Sequence, residues 1–422
     1  MVYACNSMTL AILGAMFENF SKTETARKTF LFDSCRCFCG GIIEALFKNL
    51  ALVIAIRIFH ASKIAKSFLV SAGFVGYFIT TITQAFASKQ TGLTTMDFCK
   101  RYMLTLALLI FASIFVKSLA VFLILMVLAT MIFKQPVPLI EDAYGQNYSP
   151  QERGSRLAFV LMVIPLSAII FSLIGSKLMD FNLQNYKLIL FVVSLSAVGS
   201  AMSFAQIPSR ILPQRKGKSI FSNLKIIFQD KLFGMILLWW SFAGVATQML
   251  NPLRTEFLIN STYGINASNI FETVACMAIP YTFRVLSSLL WGYFFDRAKL
   301  ITVKLMVNLF AILGFLLFFH CKSRNLIILA SVFAGIAWGG GEIIWCLWVT
   351  KIAPKENFSV YMSTNVTIVG LRGLLAPFLG YGLSHFLTLQ EISYVGSTFV
   401  LISSLGLFSL RKHPRFTRNN IQ

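Results

Sequence analysis

Apolar runs long enough to cross a lipid bilayer recur along almost the whole chain, separated by short polar breaks. A spanning α-helix needs about 20 mainly apolar residues, and in lipid only a helix or a closed barrel satisfies every backbone hydrogen bond. Only 13% of the residues are charged, whereas soluble domains carry about 25%. The sequence therefore predicts an all-α polytopic membrane protein with twelve transmembrane helices. The expected spans are residues 30–58, 65–87, 102–118, 119–146, 156–178, 187–206, 232–259, 268–295, 301–319, 325–350, 358–386 and 391–410.

The longest internal break, residues 207–231, separates six spans from six spans. Pro208 and Pro213 prevent a continuous helix there. Paired six-helix halves are a frequent plan in transporters. The predicted organisation is an N-terminal cytoplasmic or interfacial segment (1–29), an N-terminal bundle (30–206), a basic cytoplasmic linker (207–231), a C-terminal bundle (232–410) and a basic cytoplasmic tail (411–422).

The net charge of +21 orients the chain and does not indicate nucleic-acid binding. With both termini inside, the cytoplasmic segments hold about threefold more Lys and Arg than the outer loops. Basic cytoplasmic segments also bind anionic lipid, at about 1 kcal/mol per Lys or Arg near the surface. We therefore expect both termini to be cytoplasmic, and we expect a bacterial inner (plasma) membrane as the location.

Fourteen ionisable side chains that lie inside the apolar runs are singled out. A charge near the bilayer centre costs at least ~2.5–3.5 kcal/mol on insertion scales, so such residues usually face a partner, a water-filled cavity or a substrate path. They indicate that something polar crosses the protein. The fourteen are Asp33, Arg36, Glu44, Lys48, Arg57, Lys134, Glu141, Asp142, Arg254, Glu256, Glu272, Arg284, Glu342 and Arg372.

The break between spans 8 and 9 has the spacing Gly-x-x-x-Asp-Arg, at Gly292, Asp296 and Arg297. The glycine permits close packing or a turn, and the Asp can pair with the Arg or face a neighbouring helix N-terminus. Such a conformational latch breaks and re-forms when two bundles rock against each other. The alternative is a structural loop with an incidental ion pair.

The chain combines this loop with twelve spans and a basic central linker, and in this combination it resembles the major facilitator superfamily. The loop lacks the second glycine of the family pattern. The first-half loop, 87–101, does not show the pattern. Further similarity lies at 148–154, 353–356 and 370–377, and the resemblance covers about residues 30–410. It implies two six-helix bundles, with helices 1, 4, 7 and 10 lining a central cavity. Eleven of the fourteen buried charges lie on those four helices.

Span 1 places Asp33, Arg36, Gly40, Glu44 and Lys48 at helical spacings of three or four, so they form one stripe. Glu44 and Lys48 either neutralise each other or leave Glu44 to carry a coupling proton. In span 4, Lys134 is a candidate for binding an anionic group or for a salt bridge to span 1.

Span 7 offers Gln248 and Asn251 to a ligand, and Pro252 can break its helix. The Trp stripe of span 10 either stacks on solute or packs the core, and Trp348 also fits an interfacial belt. Arg284 and Arg372 either bind an anion or neutralise carboxylates. The predicted substrate-binding or coupling residues are Glu44, Lys48, Lys134, Gln248, Asn251, Arg254, Arg284, Trp338, Glu342, Trp345 and Arg372.

These residues favour a secondary active transporter, a symporter or antiporter that moves a small anionic or zwitterionic solute by alternating access. Protons or exchange would drive it. The alternatives are a multidrug or toxic-compound exporter of the same fold and a non-transporting membrane sensor. The sequence shows no nucleophile beside an oriented base, the arrangement that would indicate an enzyme. We expect no cofactor and no metal site. We also expect a monomer.

Overall fold

The computed structural model describes residues 23–87, 92–211, 225–263, 265–354 and 358–417. Within these residues the chain forms twelve long helical segments and no β-strand. They are α1 (Glu24–Arg57), α2 (Lys63–Ala87), α3 (Thr95–Ser113), α4 (Leu119–Asn147), α5 (Pro150–Phe181), α6 (Tyr186–Gln206), α7 (Lys231–Ile259), α8 (Asn269–Thr273, Val274–Ala278 and Ile279–Arg297), α9 (Leu300–His320), α10 (Arg324–Leu347), α11 (Phe358–Leu383) and α12 (Leu389–Ser409).

Ten of these segments are long and apolar enough to cross a membrane, and α2 and α3 complete the described set. Several begin earlier than expected. Helix α3 starts at Thr95 because Thr94 and Asp97 form a capping box that adds a water-side turn. Helix α1 starts at Glu24, so the last residues assigned to the N-terminal segment are helical. Residues 1–22 of that segment, 212–224 of the linker and 418–422 of the tail lie outside the described residues.

The helices pack in two groups. In the first, α1 packs on α5 and α6, and α3 packs on α4 and α6; in the second, α10 packs on α8 and α9, and α7 packs on α11 and α12. Between the groups, α2 packs on α11 and α5 packs on α8. The boundaries 30–206 and 232–410 for the two bundles stay a prediction.

Three helices depart from regular α-helical geometry. Helices α1 and α8 each contain a π-helical turn, at Leu46–Leu50 and Val274–Ala278. Helix α4 breaks between Phe133 and Val137, where Pro136 removes a backbone donor. The expectation that Pro252 breaks α7 is wrong, because Lys231–Ile259 is one continuous helix. Neighbouring helices can satisfy the carbonyl that such a proline frees.

The end of the molecule that holds the start of α1 and the end of α12 is called the terminal face here, and the opposite end the distal face. Polar contacts join the two groups at the distal face. Arg57 donates to the Ala267 carbonyl at 2.6 Å, and Lys63 donates to the Ser384 carbonyl at 2.6 Å. The Asp180 carboxylate, at the end of α5, accepts from the first backbone N–H groups of α8 at 2.7 and 2.9 Å. These contacts close the distal face.

On the terminal face, Asp230 ties three elements together. It accepts from the Phe233 backbone at 3.2 Å as the N-cap of α7, from the Tyr361 hydroxyl at 2.7 Å, and from Arg415 at 2.6 Å. Burial alone would raise the pKa of Asp230, but the hydrogen bonds from Arg415 and Tyr361 outweigh it and lower that pKa. The ionised carboxylate therefore stabilises the fold.

Asp230→Asn is expected to destabilise the protein at pH 7 by about 1 kcal/mol, the usual cost of a weakened helix cap. Because the folded pKa of Asp230 lies below the ordinary 3.8, its stabilisation is complete above that value and is lost as the pH falls below it. The melting temperatures of the two proteins should therefore converge under acid conditions. Tyr361→Phe, which removes one of the three hydrogen bonds, should cost less. Equal melting temperatures at pH 7 would contradict this role.

Candidate functional site

A cavity of about 590 Å³ lies between the two groups of helices. It is closed at the distal face by the contacts described above. All eleven residues that the sequence singled out for solute binding or coupling lie on its wall. They come from α1, α4, α7, α8, α10 and α11, and residues of α2, α9 and α12 complete the lining. The placement is consistent with a binding site, while their roles in binding stay a proposal.

The cavity wall carries a formal excess of positive charge. Six basic and two acidic side chains line it, which gives a formal excess of four positive charges. Charges of one sign that converge on one space with low-dielectric walls raise the local concentration of a counter-ion. The wall is thus suited to an anion. The charged lining residues are Glu44, Lys48, Lys134, Arg254, Arg284, Lys304, Glu342 and Arg372.

Glu44 and Lys48 both face the cavity without an ion pair between them among the described contacts. Glu44 instead accepts a hydrogen bond from the Tyr281 hydroxyl at 3.2 Å. The π-helical turn at Leu46–Leu50 adds a residue to the helical turn, so the i,i+4 spacing of the two side chains is not kept. The Tyr281 contact links α1 to α8, and therefore one group of helices to the other.

Lys134 shows no salt bridge to span 1 in the described structure. Its ammonium lies over the rings of Tyr77 and Phe133, at 5.2 and 4.9 Å from their centroids. Aromatic faces hold a cation without cancelling its charge. Lys134 therefore contributes a full positive charge to the cavity.

Arg284 and Glu342 form the ion pair expected as one alternative, with Nε and Oε2 3.2 Å apart. The Arg284 guanidinium also lies 4.8 Å from the centroid of the Tyr281 ring. The Glu342 side chain is 53% exposed, so water reaches this part of the cavity. The pair is thus a surface-like pair that a solute can rearrange, not a closed structural bridge.

Four polar atoms of the cavity wall are buried and have no hydrogen-bond partner among the residues that the structure describes. A buried polar group without a partner costs about 1–3 kcal/mol, so proteins rarely retain several together. Donors and acceptors are both present, which suits a polar solute or bound water. The atoms are Gln248 Oε1, Asn251 Oδ1, Trp345 Nε1 and Arg372 Nε.

Arg254 and Trp338 complete the predicted set. Arg254 is almost fully buried, donates to the Ala275 carbonyl and the Ser331 hydroxyl at 3.0 Å, and lies over the Phe318 ring. These contacts hold the Arg254 guanidinium in place, so it contributes a fixed positive charge to the cavity wall. Trp338 packs edge-on against Tyr281, with centroids 6.2 Å apart.

A family model described as the Major Facilitator Superfamily matches residues 36–377. The chain belongs to the major facilitator superfamily. It is an integral multi-pass membrane protein and a transporter. The fold and the family, whose members are transporters and not enzymes, agree with this assignment.

Solved structures of other superfamily members share the fold at low sequence identity. A variant of the nucleoside transporter NupG superposes with a TM-score of 0.76 at 12% identity, covering 91% of this chain and 100% of that chain. A bacterial homologue of the human lysosomal transporter Spinster, inward-facing and unoccupied, gives 0.66 at 16% identity, with 92% and 94% covered. A D-xylose–proton symporter gives 0.68 at 12% identity, with 91% and 98% covered. No curated protein sequence matches the chain.

The superfamily loop motif lies at the terminal end of α8, away from the cavity. Gly292 is inside the helix, and a Cβ there would meet no atom of the described residues within 4 Å, so no described contact or turn requires this glycine. The Arg297 guanidinium stacks over the Tyr293 ring at 3.7 Å. The side chain of Asp296 lies outside the described residues. The conformational latch stays a prediction.

The residues of the stripe predicted for span 1 lie in two different environments in the structure. Asp33 is fully buried and accepts from Arg36 Nε at 2.6 Å and from the Tyr144 hydroxyl at 2.7 Å, inside the first group of helices. Only Glu44 and Lys48 of the stripe reach the cavity. Trp348, considered for the interfacial belt, is instead fully buried and stacks on Phe233.

Sequence reasoning missed Lys304 as a cavity residue, because it lies near the start of its predicted span, 301–319, beside a basic loop. In the structure it is the fifth residue of α9, is 6% exposed and lines the cavity. Tyr281 and Asn49 were missed too, since a lone Tyr or Asn in an apolar run is an ordinary core residue. Of these three residues, only Lys304 carried a usable sequence signal, because it is a lysine inside an apolar run.

Proposed function

We propose that this chain moves a small anionic solute across a membrane by alternating access between its two groups of helices. The observation that supports it is the cavity wall of six basic and two acidic side chains, half-way between the groups. A solute with negative charge offsets the repulsion among those cations, and a neutral or cationic solute does not. The surplus favours an anion over the zwitterion that the sequence alone left open.

The same charge balance bears on the driving force. An empty cavity that closes would enclose uncompensated cations, which is costly in a low-dielectric interior. Closure is therefore favoured when an anion is bound, as exchange of one anion for another requires. Proton coupling is the second candidate, because Glu44 bonds to Tyr281 across the two groups and its protonation would alter that bond.

The charge distribution of the sequence supports a cytoplasmic terminal face. The cavity, closed at the distal face, would then be open toward the cytoplasm. The location in a bacterial inner membrane, the binding of anionic lipid and the monomeric state stay predictions. The lipophilic-cation exporter is less well supported, since the cavity wall would repel its substrates.

A solute screen tests the proposal. Purified full-length protein would be heated with size-matched anionic, zwitterionic, neutral and lipophilic cationic solutes at equal ionic strength, and its melting temperature measured. Solutes that bind only the folded state raise the melting temperature, because their stabilisation grows with the logarithm of the ratio of concentration to Kd. We expect saturable stabilisation by anions alone. Stabilisation by lipophilic cations with none by anions would overturn the proposal.

Glu44→Gln tests proton coupling. If Glu44 carries the proton, this variant should lose accumulation driven by a pH gradient in proteoliposomes, by about tenfold or more, and keep exchange of labelled for unlabelled solute. Glu141→Gln is the matched control, because Glu141 is exposed and outside the cavity lining. Gradient-driven uptake that persists unchanged in Glu44→Gln would contradict the proposal that Glu44 carries the proton. Anion exchange would then remain as the proposed driving mechanism.

A further inference from the structure

Two cations of the second group of helices lie against one tryptophan of the cavity wall. The Lys304 ammonium is 4.8 Å from the centroid of the Trp240 ring, and Arg372 Nη1 lies 3.4 Å from the Trp240 carbonyl oxygen. Lys304 belongs to α9, Trp240 to α7 and Arg372 to α11. Three helices thus bring two positive charges to one side of the cavity.

Neither cation is neutralised. Among the residues that the structure describes, neither Lys304 nor Arg372 forms an ion pair with a carboxylate, in contrast to Arg284 and its partner Glu342. Lys304 is 6% exposed and has no hydrogen-bond acceptor among the described contacts. Arg372 Nε is buried without a partner. Buried cations are normally paired, so the missing partner here points to a ligand.

A glycine on α7 makes room for the Arg372 side chain. The guanidinium lies where the Cβ of any other residue at Gly244 would stand, in direct overlap with it. A side chain at position 244 would therefore force the guanidinium to shift. The close approach of Arg372 to α7 thus uses the space that this glycine leaves.

We propose that Lys304 and Arg372 form a subsite for a phosphoryl group of the solute, a dianionic tetrahedral oxyanion. The inference rests on the proposed function and deepens it. An arginine fork binds two oxygens of a phosphate, a lysine binds the same group as a point charge, and a phosphate monoester carries nearly two negative charges at pH 7 because its second pKa is about 6. Two charges match the two unpaired cations, and a single carboxylate would leave one cation uncompensated.

The remainder of such a solute would lie toward the centre of the cavity. Gln248 Oε1 and Asn251 Oδ1 are buried acceptors without partners on the same helix as Trp240. Acceptors of this kind bind hydroxyl or amino groups and not the oxyanion. The subsite and these acceptors together fit a small organic phosphate with hydroxyl or amino groups.

The binding test uses purified full-length protein with four probes at equal ionic strength: inorganic phosphate, methyl phosphate, dimethyl phosphate and succinate. We expect saturable stabilisation by the first two. Dimethyl phosphate, with one charge, and succinate, with two separate carboxylates, should bind at least tenfold more weakly. Succinate binding as tight as methyl phosphate would overturn the phosphoryl assignment and leave anion transport standing.

Variants locate the subsite. Lys304→Met and Arg372→Met should each weaken methyl phosphate binding by at least tenfold, and Arg372→Lys should restore part of the loss. Lys187→Met removes an exposed charge outside the cavity and should bind as the unaltered protein does. Monodisperse elution separates lost binding from misfolding. Binding unchanged in both methionine variants would refute the subsite, and no saturable binding of any anion would refute the proposed function as well.

Discussion

Replacing Glu256 by alanine is expected to lower the free energy of unfolding by about 3–5 kcal/mol, the usual cost of leaving one charge of a buried ion pair alone. Lys66 Nζ lies 2.7 and 2.8 Å from the two carboxylate oxygens of Glu256, and both side chains are nearly fully buried. Asn260 donates to the same carboxylate at 2.6 Å. No described carboxylate other than Glu256 pairs with Lys66, so the variant leaves its ammonium uncompensated.

This pair joins α2 to α7, and therefore the two groups of helices near the distal face. When the groups separate at that face, the pair must part. Glu256→Ala should accordingly weaken the distal-closed state more than a state that opens there. The expected result is a lower melting temperature together with faster labelling of cysteines introduced on the distal side of the cavity.

The double variant Lys66→Met/Glu256→Leu is the control for this prediction. It removes both charges and fills the space with apolar side chains, which is often neutral or stabilising for a buried pair. It should melt well above Glu256→Ala. If the double variant melts at as low a temperature as Glu256→Ala, the loss of stability comes from packing around Glu256 and not from the unpaired lysine.

The helices were predictable because lipid leaves the backbone few choices. An apolar run of spanning length has to satisfy its own hydrogen bonds, so the segments fall within a few residues of the expected spans. The errors lie at the water-side ends, such as the extra turn of α3 that Thr94 and Asp97 cap. The predicted span, 102–118, follows the apolar run alone and therefore leaves out this polar turn.

The residues around the cavity were found through the superfamily resemblance together with their charge. Apart from the Arg284–Glu342 pair, which was expected as one alternative, the partners of these charges could not be found in this way, because each depends on contacts far apart in sequence. Lys66 and Glu256 are 190 residues apart, and Glu44 meets Tyr281 across 237. The π-helical turn in α1 also changes side-chain directions in a way that α-helical spacing does not anticipate. Charge type was therefore predictable, and most of the pairing was not.

A disulfide between cysteines at positions 176 and 273 is expected to abolish transport. Ser176 Oγ on α5 and Thr273 Oγ1 on α8 lie 2.6 Å apart, and both residues are fully buried. Two short side chains in direct contact suit a disulfide, whose Cβ atoms are about 3.8 Å apart. The bond would join the two groups beside Asn49, which donates to Thr273 at 2.7 Å.

If alternating access requires the distal face to open, this bond holds the protein in its distal-closed state. Oxidised Ser176→Cys/Thr273→Cys, in a Cys276→Ala background that removes a competing thiol, should lose at least 90% of exchange activity, roughly 1.4 kcal/mol or more in the rate. Reduction should restore it. Solute binding from the terminal face, measured by melting temperature, should survive oxidation, because the cavity wall is unchanged.

A second cysteine pair tests whether the constraint between the groups is what matters. Ser194 donates to the Ala107 carbonyl at 2.9 Å, within the first group of helices, so Ala107→Cys/Ser194→Cys joins α3 to α6. Rigid-body rocking leaves that contact intact, and transport should continue after oxidation. Loss of transport in both pairs would implicate motion inside one group of helices. Continued transport by the oxidised 176–273 pair would rule out opening of α5 from α8 and contradict the proposed alternating access.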